Sequence, residues 1–206
     1  MNFGAFILPN VKLEHEIMFW KGLVESNCPD QFYTKHLPHL TILNIKVKDI
    51  NIALKKSIET INEYNSFQIR IEKKGVFWND FGTHGGHTLF YEVKKNQYIL
   101  NLQKVLAESL TSEVIREEGS IYKEKGYEMD LSYKKYGSPF IGEQWIPHFS
   151  IASLNKDVPL GASLFSRSEL LSKFVFISQN LGDLVSLVAN YGSHLKSIYK
   201  LEQYYQ

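Results

Sequence analysis

Two short runs of the chain are spelled almost alike, Leu37-Pro-His-Leu-Thr-Ile-Leu43 and Ile146-Pro-His-Phe-Ser-Ile-Ala152. Each sets a hydroxyl two residues after a histidine, and in a β-strand residues i and i+2 project from the same face. His39 with Thr41, and His148 with Ser150, would each present an imidazole beside a hydroxyl. A duplicated unit usually packs about a two-fold axis, which would face both pairs into one cleft. Histidine's unperturbed pKa lies near physiological pH. One neutral imidazole could therefore take a proton from an attacking water or hydroxyl while the opposite imidazolium gave one to a departing oxygen. The hydroxyls could donate to the non-bridging oxygens of a phosphoryl group as charge develops there. This chemistry asks for no metal and no other cofactor. Pro38 and Pro147 fix φ before each histidine and remove a backbone donor, which the start of a strand tolerates.

The elements that must hold these residues follow from periodicity and turn residues. Phe3 to Pro9 predicts a strand, with Asn10 as the N-cap of a helix whose apolar positions are Val11, Ile17, Phe19, Trp20, Leu23 and Val24. The β-branched run LTILNIKV predicts a buried strand. Asp49 then opens a helix carrying Ile52, Leu54, Ile58 and Ile61. Phe67 to Trp78 and His87 to Val93 predict a hairpin with the long tip NDFGTHGG, and Gln97 to Leu110 a third helix. Thr111 to Ile141 has charge, glycine and tyrosine without a clear period and reads as a linker and lid. The second motif reads as a strand in HFSIASL. Beyond it come a helix over Gly161 to Leu171 and strands over Phe174 to Gln179, Leu184 to Asn190 and Leu195 to Tyr204. Each half therefore has a PHx[ST] strand, a helix and a strand pair, as expected for a single α+β domain.

The pair His39-Leu-Thr41-Ile and His148-Phe-Ser150-Ile resembles the two signature motifs of the 2H phosphoesterase superfamily. That group includes bacterial RNA 2′,3′-cyclic phosphodiesterases (also called 2′-5′ RNA ligases), plant cyclic phosphodiesterases and 2′,5′-oligoadenylate phosphodiesterases. The resemblance implies a bilobal, pseudo-two-fold fold, with two antiparallel sheets lining a central cleft and helices outside, spanning residues 1–206. It also implies that His39 and His148 act as general base and general acid, in either order, and that Thr41 and Ser150 hold the phosphate. The substrate implied is a nucleotide or RNA carrying a 2′,3′-cyclic phosphate or a 2′-5′ linkage. Segment 111–141 departs from the shorter bacterial ligases, which leaves the substrate more open than the chemistry.

Composition agrees with a soluble protein of this size. The 206 residues can bury a sizeable core in one domain. No apolar run reaches the roughly 18 residues needed to span a bilayer, and Phe3 to Pro9 is too short for a signal peptide. A formal net charge of +1 gives no strong overall field toward nucleic acid, so an anionic ligand must be held locally. The single cysteine, Cys28, rules out an internal disulfide and fits a reducing, cytoplasmic compartment. A self-contained cleft makes a monomer the default.

Several other residues invite a role. Trp78 and Trp145 could stack a base or fill the core. Tyr133, Lys134, Lys135 and Tyr136, just upstream of the second motif, could track a nucleic-acid backbone or lie in an ordinary exposed loop. His36 with His39, and His84 with His87, give HxxH spacing, but no carboxylate or cysteine cluster completes a metal site there. The rivals to catalysis are a cleft that sequesters cyclic or 2′-5′-linked nucleotides without turnover, and an interaction protein in which both motif strands are only core.

Overall fold

The computed structural model describes residues 1–65, 67–116, 126–155 and 187–188. In chain order its elements are β1 (Asn2–Ile7), α1 (Val11–Asn27), β2 (Leu40–Lys46), α2 (Ile50–Asn62), β3 (Gln68–Ile69) and β4 (Ile71–Asp80). A 3-10 turn (Phe81–Thr83) leads to β5 (Gly86–Val93), α3 (Gln97–Ser109), α4 (Tyr127–Tyr136), β6 (His148–Leu154) and β7 (Leu187–Val188). The expected helix beyond 160 and strands Phe174 to Gln179 and Leu195 to Tyr204 lie outside the described residues, as does all but 187–188 of the strand over Leu184 to Asn190. No helix among the described residues is long and apolar enough to cross a membrane.

Side-chain caps start the first three helices where the sequence places them. The Asn10 carboxamide oxygen accepts from Leu13 N at 2.9 Å, Asp49 accepts from the amides of Asn51 and Ile52, and Asn96 accepts from Ile99 N. Each satisfies backbone donors that the first helical turn leaves without partners. The buried faces differ in part from those expected in α1 and α2. In α1 Ile17, Trp20 and Val24 turn inward as expected, joined by Leu13, while Val11 and Phe19 are 66% and 64% exposed. In α2 the inward side is made by Ala53, Ser57, Thr60 and Ile61, while Ile52 is exposed. Small and hydroxylic residues let that helix approach closely, and Ser57 and Thr60 return their hydroxyls to the helix's own carbonyls.

Five strands form one antiparallel sheet in the order β1-β2-β6-β5-β4, and β3 pairs separately with β7. The two motif strands, far apart in sequence, are thus direct neighbours inside the sheet. One face of the sheet carries Phe3, Ala5, Leu40, Leu43, Ile45, Leu89, Tyr91 and Phe149 into a single apolar core shared with α1 and α3. Tyr91 brings a hydroxyl into that core, and its partner is Glu16 at 2.7 Å, which also accepts from Trp20 Nε1. Lys74 lies 3.6 Å from the same carboxylate, so the buried charges are paired.

The stretch expected to be an aperiodic linker is in part a helix. α4 buries Asp130, Ser132 and Tyr136, so its inner face is largely polar and leaves no hydrophobic period to read. Gly137 ends it in the left-handed region at φ +71°, as glycine does most readily. Val114, Ile141 and Trp145 join the core, and Gln103 of α3 bonds the carbonyls of Ile42 and Phe140 and the amide of Gly142.

Leu40 is fully buried between the sheet and the helices. Leu40→Ala should lower unfolding free energy by about 3 kcal/mol in urea titration; a loss below about 1 kcal/mol would contradict its place in the core.

Candidate active site

In the β2–β6 pairing Leu40 stands opposite Phe149, and both side chains are buried in the core. One step to either side, the same antiparallel register sets His39 level with Ser150 and Thr41 level with His148. Because alternate residues point to opposite faces, these four project together from the face away from Leu40 and Phe149. All four are half-buried. The two imidazoles and two hydroxyls occupy the corners of one patch, diagonally arranged.

Both imidazoles are anchored the same way. His39 Nδ1 lies 2.7 Å from the carbonyl oxygen of Leu37, and His148 Nδ1 lies 2.7 Å from that of Ile146. A carbonyl can only accept, so each Nδ1 carries the proton, and each Nε2 is left as the basic nitrogen of the neutral ring. The proline between histidine and acceptor stiffens the backbone through which the bond closes.

The flanking strands repeat the arrangement. Phe6 of β1 stands opposite Thr41, and Phe90 of β5 opposite Ser150. Each pairing has a register shift at the same place, leaving Ile42 and Ile151 as the extra, buried residues. Such bulges re-aim neighbouring side chains. The Phe6 ring meets His39 edge-on at 4.7 Å between centroids, and the Phe90 ring meets His148 at 5.4 Å. Each ring lies over a glycine: a Cβ on Gly4 would come within 2.4 Å of Phe6, and one on Gly75 within 2.5 Å of Phe90. On the β5 side Phe77 stacks on Phe90 at 3.9 Å and also edges His148, at 4.9 Å.

The charges around the histidines differ. Burial pulls the His39 pKa below the ordinary 6.5; the Leu37 carbonyl opposes this, and the charges of Lys21, His36 and His148 add to the depression. Burial also lowers that of His148, but there the Ile146 carbonyl, Asp80 and Glu92 all favour the imidazolium. Lys21 is almost wholly buried, donates to the Tyr33 carbonyl, and is itself pushed down to about 8 by burial. Asp80 is held by Gly82 N and the Thr88 hydroxyl.

The other residues singled out from sequence fall elsewhere. Trp78 follows Phe77 and so points to the opposite side of β4, where it is 62% exposed and edges His87 at 4.9 Å. Trp145 and Tyr136 are core residues. Lys134 pairs with Asp130, and Lys135 lies 4.0 Å from Glu108 and over the Tyr136 ring. Tyr133 is half-buried, its carbonyl accepting from Gly137 N. Among the described residues no group of three or more His, Cys, Asp or Glu is placed to hold a metal ion. Phe6, Phe77, Phe90, Asp80 and Glu92 were not singled out. Phe77 adjoins Trp78 in sequence, and only the strand parity set by the β4–β5 register distinguishes the two.

A family model described as the 2′-5′ RNA ligase superfamily matches residues 9–181. The chain belongs to that superfamily, the 2H phosphoesterases. No curated protein matches it. Membership supports a phosphoesterase or ligase enzyme acting on RNA or nucleotide substrates, with RNA ends as the general target.

The anchoring geometry has a direct spectroscopic consequence. In the neutral form both His39 and His148 should be the Nδ1-H tautomer in long-range nitrogen–proton correlation spectra; an Nε2-H tautomer at either would show that the carbonyl bond does not form.

Proposed function

We propose that the chain is a metal-independent phosphodiesterase acting on a 2′,3′-cyclic phosphate or a 2′-5′ linkage at a nucleotide or RNA end. The observation that carries this reading is the shared face of β2 and β6, where two identically anchored imidazoles and two hydroxyls converge. The repeated bulge, phenylalanine and glycine on either side support a pseudo-two-fold organisation about that pair of strands.

On a cyclic phosphate, the neutral imidazole takes a proton from water at its Nε2 as the water oxygen bonds phosphorus. The bond from phosphorus to one ribose oxygen breaks, and the opposite imidazolium gives that oxygen its proton. The Thr41 and Ser150 hydroxyls donate to the non-bridging oxygens, where charge accumulates. Afterwards the two rings have exchanged protonation states, and solvent resets them. Both proton transfers are supplied by side chains already in place. Phe77, Phe90 and Phe6 limit water around the rings, which strengthens each polar contact made there. With Cys28 buried as a thiol, the protein suits a reducing cytoplasm.

The test is turnover of nucleoside 2′,3′-cyclic phosphates and of 2′-5′ and 3′-5′ dinucleotides in EDTA. Cleavage should survive the chelator, and His39→Ala and His148→Ala should each lower kcat by about 10²-fold or more with little change in Tm. Tight binding of one substrate without turnover would favour sequestration. Variants that lose stability rather than activity would make both motifs core alone.

A further inference from the structure

The two halves of the site match position by position until one residue. The β1–β2 register sets Phe6 opposite Thr41 and ends with Ile7 opposite Leu40; extended one residue past both strands, it would set Leu8 level with His39. The corresponding pairs in the second half are Phe90 with Ser150, Tyr91 with Phe149 and Glu92 with His148. Where the first histidine faces a leucine, the second faces a carboxylate. Glu92 is enclosed, its side chain 17% exposed, and among the described residues it pairs with the Lys73 ammonium at 3.4 Å. Lys73 is 63% exposed, so water screens that pair, and at His148 the Glu92 charge favours the imidazolium, as the Asp80 charge does.

His148 needs such a partner more than His39 does. Among the described residues it is edged by two phenylalanine rings, Phe77 and Phe90, against one for His39, and apolar surroundings disfavour the imidazolium. Among the described residues the groups acting on it are Asp80 at the end of β4, Glu92 on β5 and His39 just before β2. Around His39 the groups are Lys21 of α1, His36 of the preceding loop and His148, all of which are cations when protonated. The site is symmetric in shape and polarised in charge.

We propose that Glu92 is a positioning residue that holds the proton on His148, making it the general acid and leaving His39 as the general base. This rests on the two-histidine reading above. It gives the substrate a direction: the departing oxygen lies on the β6 side and the attacking oxygen on the β2 side.

The assignment is tested by titrating the histidine Cε1–H signals of the free protein by NMR. Glu92→Gln, which keeps shape and removes charge, should lower the His148 midpoint by about one unit and leave His39 nearly unmoved. Leu8→Glu should raise the His39 midpoint instead. An unmoved His148 in Glu92→Gln, or equal movement of both histidines, would overturn the proposal. Because this is read without substrate, its failure is separable from absence of turnover. In the kcat/KM profile, Glu92→Gln should shift only the alkaline limb, toward lower pH, with KM not raised. A rise in KM with both limbs unmoved would assign Glu92 to substrate binding and also overturn the proposal.

Discussion

The pairing of Leu40 with Phe149 across β2 and β6 is the constraint on which the site depends. Both side chains are fully buried, and burying an apolar side chain of this size is worth about 1.5–3 kcal/mol. A slip of one residue in either strand would turn its apolar set toward solvent and its histidine and hydroxyl into the core. The register is thus held by hydrophobic burial on one face, while the chemistry is displayed on the other. Two proton carriers end up level with two hydroxyl donors because two apolar residues are held against each other behind them.

Around that pairing, burial and hydrogen bonding oppose each other. Enclosure by phenylalanine rings lowers both imidazole pKa values, and the carbonyls of Leu37 and Ile146 pull in the other direction while fixing the tautomer. A bound phosphodiester would bring a negative charge between the rings and favour the imidazolium further. The unliganded site therefore holds its histidines mostly neutral near pH 7, and substrate itself helps to protonate the one that must donate.

Much of this was legible in the sequence because it rests on local rules. The repeated PHx[ST] spelling placed Thr41, His148 and Ser150 on strands and His39 at the entry to one, and Asn10 and Asp49 announced their helices by capping chemistry. What could not be read depends on tertiary context. α4 hides behind a polar inner face, so its residues resembled a loop. Trp78 and Phe77 are neighbours in sequence on opposite faces, and strand parity alone decides which meets His148. Lys134 and Lys135 read equally as a basic track or as solvated lysines, and only the fold sets Asp130 and Glu108 beside them. Glu92 carries no motif, and its significance comes only from lying opposite His148.

The central claim is that two imidazoles on one sheet face divide proton uptake and delivery between them. Its most direct test is the pH dependence of kcat/KM on a nucleoside 2′,3′-cyclic phosphate for wild type and each single histidine variant. Buried imidazoles lose their protons below the ordinary 6.5, so the wild-type profile should be a bell lying to the acid side of that value. The residual activity of His39→Ala should lack one limb and that of His148→Ala the other. A bell that persists unchanged in either variant would contradict the account.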